Sequence, residues 1–244
     1  MEEEGEIFIS SLNKSFKLKR KIGRLGGGKG PVLIFVGGMH GNEPSGFAAL
    51  TEVFNYYSDL EHQFNGTAYA FSGNIRALSL GQRFIDQDLN RMWSEERISK
   101  VNAGLINGEA DSEEMEQMAL FQEIKTILQK EEGPFLFFDL HTTSASSPPF
   151  VLINDTLINR KLAVKYPHRI ILGIEEYLDG PMLSYINDQG YASLGFEAGQ
   201  HHDPRSYELH KNFILQSFLL TGFLKDKKKY KELIHDQQNS LYAH

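Results

Sequence analysis

The chain has 244 residues, a formal charge of −7, 41% hydrophobic residues including 17 Phe, and no cysteine. That is enough for one large α/β domain with a buried core. The acidic balance argues against nucleic acid, which needs a basic surface, and the lack of cysteine excludes disulfides and thiolate metal sites. Met1-Glu2-Glu3-Glu4 forms no apolar signal, and no stretch approaches the roughly 20 apolar residues that span a membrane. A soluble cytoplasmic protein with no membrane or nucleic-acid partner is the expectation.

Residues 1–30 read as an opening hairpin with a glycine-rich turn, Gly26-Gly27-Gly28-Lys29-Gly30, taken as a flexible connection because it lacks the Lys-Ser/Thr ending of a phosphate loop. Val32-Leu33-Ile34-Phe35-Val36 is the first firm strand, followed by a helix over 45–57 through Phe47, Leu50, Val53, Phe54 and Tyr57. A strand follows at 67–71. Residues 73–111 read as irregular and polar, the kind of long loop that is functional or mobile. A helix is expected over 112–130 with Ser112 as its cap and Glu113, Glu114 and Glu116 as a solvated first turn. Strands are expected at 135–140, 149–154, 169–173 and 191–197, and helices near 156–165, 180–188 and 205–225, with a fraying helical tail to His244. This alternation predicts an α/β fold, a mixed, mostly parallel central sheet with helices on both faces.

The first strand runs into Gly37-Gly38-Met39-His40-Gly41-Asn42-Glu43, and Phe135-Leu136-Phe137-Phe138 runs into Asp139-Leu140-His141. Two strands therefore deliver His40, Glu43 and His141 at their carboxyl ends, the edge where open α/β sheets bind ligands. His40 and Glu43, three apart, face one side in a helical turn. Two imidazoles and a carboxylate suit Zn²⁺ and leave a fourth position for water, as in a hydrolytic site. Either histidine alone reads as an ordinary loop or core residue; together with Glu43 on strand ends, they read as a metal centre. Asp139, on the same side of its strand as His141, is placed behind that ligand or near the reacting water.

Gly38-Met39-His40-Gly41-Asn42-Glu43, Asp86-Gln87-Asp88-Leu89-Asn90-Arg91, Asp139-Leu140-His141-Thr142-Thr143 and Phe196-Glu197-Ala198-Gly199 together resemble the succinylglutamate desuccinylase/aspartoacylase family, a branch of the zinc carboxypeptidase-like enzymes. The match in order and spacing covers roughly residues 30–200. The resemblance implies one Zn²⁺ per chain on His40, Glu43 and His141. It implies that Asn90 and Arg91 hold a substrate carboxylate, that Arg76 polarises the scissile carbonyl, and that Glu197 is the general base. The residue chemistry agrees: a guanidinium pairs with carboxylate in bidentate fashion, a cation stabilises an oxyanion, and a carboxylate ending an apolar strand is desolvated towards a useful pKa. Ile75 stands where the family often has Pro.

His201 and His202 read as a polar loop, Asp179-Gly180-Pro181 as a turn and helix start, Trp93 as packing for the Asn90-Arg91 segment, and Tyr185 and Tyr191 equally as pocket or core. The expected protein is a single catalytic domain over 1–244, without the small β-rich domain that often follows in the family. Its expected activity is hydrolysis of an N-acyl amino acid, or a related small amide bearing a carboxylate, to an acid and an amino acid. A zinc carboxypeptidase acting on peptides and a non-catalytic zinc-binding protein are the alternatives.

Overall fold

A computed structural model describes residues 5–60, 63–105, 111–174 and 178–225. Strands β1 (Gly5–Ile9) and β2 (Lys14–Leu18) alternate exposed and buried residues and pair antiparallel as a separate hairpin, laying Ile7, Ile9, Phe16 and Leu18 on the core. Strand β3 (Lys21–Gly27) leaves the hairpin and joins the main sheet as an edge, antiparallel to β5 (Gly66–Ser72). The glycine-rich turn that follows is set by close packing: a Cβ on Gly30 would lie 2.6 Å from the Gly66 nitrogen. Glycine is needed there for backbone contact as well as for its φ of +149°.

Strand β4 (Val32–Gly37) is buried throughout, which explains its unbroken apolar sequence. Leu33 and Phe35 join one core with α1 (Pro44–Tyr57), α5 (Leu157–Ala163) and α7 (Pro204–Leu220). Val32, Ile34 and Val36 join the opposite core with α3 (Glu95–Asn102), α4 (Ser112–Lys130) and α6 (Met182–Asp188). The sheet order is β3-β5-β4-β6-β9-β7-β8, with β6 Phe135–Thr143, β7 Phe150–Ile153, β8 Arg169–Leu172 and β9 Ala192–Gln200. Neighbours among β5, β4, β6 and β9 pair in parallel; β7 runs antiparallel to β9 and parallel to β8. The expected mixed, mostly parallel sheet with helices on both faces is therefore what forms.

The region 73–111 departs from expectation. It contains α2 (Ile75–Leu80), a 3-10 turn at Leu89–Arg91, and α3. Asn74 and Ser94 cap the two helices with side-chain oxygens, and Gly81 ends the first in the left-handed region. Helices of six and eight residues are too short to print a periodic pattern. Residues 106–110 lie outside the described residues, as does the expected helical tail beyond Lys225. The cap of α4 is Asp111, one residue ahead of the expected Ser112; it forms a capping box with Glu114. No helix among the described residues is long and apolar enough to cross a membrane.

Phe213 on α7 is fully buried, stacked on Phe196 at 4.1 Å and against Tyr166 at 4.9 Å, with Phe138 edge-on. Phe213→Ala is expected to cost about 3–5 kcal/mol of stability, read as a lower midpoint in guanidinium unfolding.

Candidate active site

Parallel pairing delivers the site. The end of β4, Gly37, is in register with Leu140 of β6, and His141 is in register with Glu197 of β9. Three adjacent strands thus bring a turn, an imidazole and a carboxylate to one carboxyl edge. Beyond Gly37 the chain reverses through Gly38, at φ +73°. At Gly41 a Cβ would lie 2.0 Å from the Ala77 carbonyl carbon, so this turn can approach α2 only with glycine. His40 and Glu43 stand in that turn, ahead of α1, and not in a helical turn as the spacing implied. The Glu43 amide bonds the His40 carbonyl at 3.1 Å, and Pro44 opens the helix. Glu43 occupies the cap position without capping α1; its carboxylate is turned to the imidazoles.

The two imidazoles flank that carboxylate. His40 Nδ1 lies 3.0 Å from Glu43 Oε1, and His141 Nδ1 lies 3.2 Å from Oε2. The Thr142 amide donates to Oε2 at 2.8 Å. All three side chains are buried, and their ligand atoms lie within 4.8 Å of one another. Each imidazole also meets a carboxylate at its far nitrogen. His40 Nε2 is 3.0 Å from Asp88 Oδ1, and His141 Nε2 is 2.8 Å from Asp139 Oδ2. A neutral imidazole has one N–H, and an ionised carboxylate only accepts. With the N–H on Nε2, towards the aspartates, each Nδ1 presents a lone pair to the lone pairs of Glu43. Without an ion, a proton on His141 Nδ1 relieves that conflict; a metal ion between the nitrogens and Glu43 relieves it with both rings neutral. The donor set therefore fits a divalent metal, with Asp88 hydrogen-bonded behind His40 and the Asp139 carboxylate lying in ion-pair contact behind His141.

The electrostatics follow from this crowding. Burial works to raise the Glu43 carboxyl, but hydrogen bonds from His141 and His40 outweigh it and hold the group well below the carboxylate range. Asp88 is likewise held low against burial by His40 and Arg83. Burial works to lower His141, yet Asp139 and Glu43 carry it well above the usual imidazole range. Glu197 goes the other way. Burial pushes it up to about 7, with Glu43 and Asp139 adding and His141 and His40 opposing. Its Oε2 is buried without a hydrogen-bond partner.

Other expected residues are placed less directly. Asn90 is buried, and its Oδ1 accepts from the Met182 amide at 2.9 Å, tying the 3-10 turn to α6. Arg91 donates from Nη1 to the Asn90 carbonyl. Trp93 is buried as expected, and its amide bonds the Gly180 carbonyl at the turn before α6. Arg76 lies on α2 with Nη2 3.6 Å from Met115 Sδ, and its amide donates to Glu116. The guanidinium that reaches the ligand cluster is Arg83, with Nη1 3.7 Å from Glu43 Oε1 and two hydrogen bonds to Asp88 Oδ2 at 3.2 and 2.8 Å. The sequence signal for it was available: Arg83 opens the same run that supplies Asp88, Asn90 and Arg91. His201 is more than a loop residue, since its Nδ1 is 2.8 Å from Thr142 Oγ1, beside His141.

The first turn of α4 corrects another expectation. Glu113 and Glu116 are buried, not solvated. Glu113 accepts from the amides of Ile85, Asp86 and Gln87 and from the Asn74 side chain, so it holds the loop that carries Asp88. Glu116 accepts from the Arg76 amide and pairs with Arg20. Glu114 alone behaves as a surface residue of that turn, pairing with Arg97 at 2.9 Å while completing the cap.

Residues 29–201 match the family model for the succinylglutamate desuccinylase/aspartoacylase catalytic domain. The chain belongs to the succinylglutamate desuccinylase/aspartoacylase family. A "Probable aspartoacylase" of Acaryochloris marina (strain MBIC 11017) is 30% identical over 166 residues, 66% of this chain and 53% of that protein. A second, from Trichodesmium erythraeum (strain IMS101), is 32% identical over 133 residues, 54% of this chain and 42% of that one. The chain thus spans about half the length of the curated relatives it matches. Among solved structures, product-bound ectoine utilization protein EutE (DoeB) from Ruegeria pomeroyi superposes with a TM-score of 0.67 at 16% identity, covering 88% of this chain and 64% of that one. The succinylglutamate desuccinylase/aspartoacylase from Rhodobacter sphaeroides gives 0.62 at 18% identity, covering 89% and 62%. At such identities the likeness is one of fold.

Glu113→Ala removes the acceptor of three loop amides. Orphaned buried donors cost about 1–3 kcal/mol each, so faster hydrogen exchange at Ile85, Asp86 and Gln87 together is expected, with little change in the amides of β4.

Proposed function

We propose that this chain is a zinc-dependent amidohydrolase that cleaves an N-acyl amino acid to a carboxylic acid and an amino acid. The observation that carries this reading is the buried His40–Glu43–His141 cluster with the Glu197 carboxylate in register beside it. A binding-only metal site has no use for a buried carboxylate with an unpartnered oxygen beside the ligand cluster. Membership of the family and the relatives called probable aspartoacylase support the same reaction class. The two cores share one sheet, which supports reading the described residues as one catalytic unit.

His40 Nδ1, a Glu43 oxygen and His141 Nδ1 would hold the ion. When bound, it supplies Lewis acidity towards water and the scissile carbonyl. Glu197 takes a proton from the attacking water and later gives it to the leaving amine nitrogen, so the carboxylate ends as it began. Arg83, part-exposed beside Glu43, aims a cation at the oxygen on which negative charge develops. Asp88 grips that guanidinium and orients His40 with its other oxygen. Arg91 spends one of its five donors on Asn90 and offers the rest to a substrate carboxylate. Asn90, with Oδ1 fixed to Met182, keeps its amide nitrogen for the same group. Two fixed anchors would hold the amide in one orientation over the base.

Amino-acid release from a panel of N-acyl amino acids tests the reading. Glu197→Gln is expected to retain bound zinc and lose about 10²–10⁴-fold in kcat. Release only from peptides with a free C-terminus would move the assignment to a carboxypeptidase.

The pH profile has a definite sign. The base works deprotonated, so hydrolysis rises with pH through its pKa. Burial sets that value at about 7, and a cation in the site pulls it lower, so the acid limb falls at or below pH 7. The limb is expected to vanish in whatever residual activity Glu197→Gln retains.

Arg83→Met is expected to lower kcat about 10²–10³-fold, whereas Arg76→Met is expected to stay near the parent rate. The opposite ranking would return the oxyanion role to Arg76.

A further inference from the structure

His210 lies behind the ligand cluster on α7 and takes no part in the chemistry above. It is fully buried. Its Nε2 is 3.1 Å from the carbonyl oxygen of His141, and its Nδ1 is 3.2 Å from the Ser45 hydroxyl. A carbonyl can only accept, so the hydrogen on Nε2 is the one that bonds His141, and Ser45 donating to Nδ1 favours that tautomer over the one that would serve the Ser206 carbonyl one turn back. One imidazole thus bonds the backbone of a ligand residue and the second residue of α1, two positions after Glu43. Its ring also meets Phe196, the residue before Glu197, edge-on at 5.7 Å. Three site residues on three elements, His141, Glu43 and Glu197, are each touched through themselves or a close chain neighbour.

The packing leaves this link little slack. At Gly46 a Cβ would lie 2.8 Å from Leu140 Cβ and 3.0 Å from the Leu140 carbonyl, so α1 and β6 are pressed together beside His210. The ligand side chains of β6 and of the turn before α1 can then hold one mutual geometry only while these segments keep their spacing. Apolar packing fixes that spacing loosely in direction; a hydrogen bond to the His141 carbonyl fixes the direction as well.

We propose that His210 is a positioning residue of the metal centre, a bracket that sets the His141 backbone against the start of α1. The inference rests on the metal-centre reading above. Ser45 completes it by fixing the tautomer: without its hydroxyl the imidazole is free to move its hydrogen to Nδ1 and release the His141 carbonyl.

The test is zinc affinity, by competition with a chromophoric chelator, and the visible spectrum of the Co²⁺-loaded protein. Both are measured on the wild type, His210→Leu, His210→Gln and Ser45→Ala. His210→Leu keeps apolar bulk and removes the bracket; it is expected to weaken zinc about 10–100-fold and to change the cobalt band shape. His210→Gln carries an amide nitrogen near the position of Nε2 and is expected to recover most of the affinity. Ser45→Ala is expected to weaken zinc by a smaller factor and, as a single hydroxyl deletion, decides the matter if His210→Leu does not fold. Unchanged affinity and spectrum in a folded His210→Leu, or in Ser45→Ala where the leucine variant does not fold, would overturn the proposal and leave His210 as core packing. A wild-type protein that takes up neither zinc nor cobalt would instead sink the metal-centre reading, and this inference with it.

Discussion

The structure depends on one buried carboxylate. Glu43 is shared between two imidazole Nδ1 atoms and the Thr142 amide, and both imidazoles are backed by a second carboxylate. Taking this much negative charge out of water is costly unless cations and donors are fixed around it. Arg83 supplies one cation at the rim. At the centre, protonated His141 supplies another when no ion is bound. A metal ion meets that need, and the surrounding fold reads as the frame that keeps the ligands close enough to bind one.

The frame works through strand register. Parallel pairing of β4, β6 and β9 sets Gly37 beside Leu140 and His141 beside Glu197, so residues about 100 and 60 positions apart meet without a long loop. The turn after β4 is held on α2 by the absence of a side chain at Gly41. From the other core, Glu113 gathers the amides of the 85–87 loop and presents Asp88 to His40. The charged cluster is thus gripped from both faces of the sheet, by α4 on one and by α1 and α7 on the other.

How much of this the sequence disclosed depends on the range of each interaction. The gathering of His40, Glu43 and His141 at the strand ends was legible because an apolar run followed by a polar residue is a local pattern. Glu197 was legible for the same reason. Glu113 was not: a glutamate in the first turn of a helix ordinarily faces water, and its partners are backbone amides 26 to 28 residues earlier. The cap shifted from Ser112 to Asp111 because both residue types cap well, and only the capping box with Glu114 separates them. Arg76 drew attention through its resemblance to a family position, yet helix α2 turns it to Met115, while Arg83 comes to Glu43 through the reversal at Gly81. His210 carries no local signal at all, since its partners are a carbonyl and a hydroxyl contributed by distant elements.

The central claim is that both ligand imidazoles keep their hydrogen on Nε2, facing Asp88 and Asp139, and offer Nδ1 to a shared ion. Long-range proton–nitrogen correlation spectra of the imidazole rings, recorded before and after one equivalent of Zn²⁺, test this most directly. With zinc bound, two histidines, lost in turn in His40→Ala and His141→Ala, are expected to carry hydrogen on Nε2 alone and to shift at Nδ1, and zinc is expected to displace from His141 the Nδ1 hydrogen that its raised pKa retains without the ion. Zinc that moves neither ring, or that moves Nε2 while Nδ1 keeps the hydrogen, would contradict it.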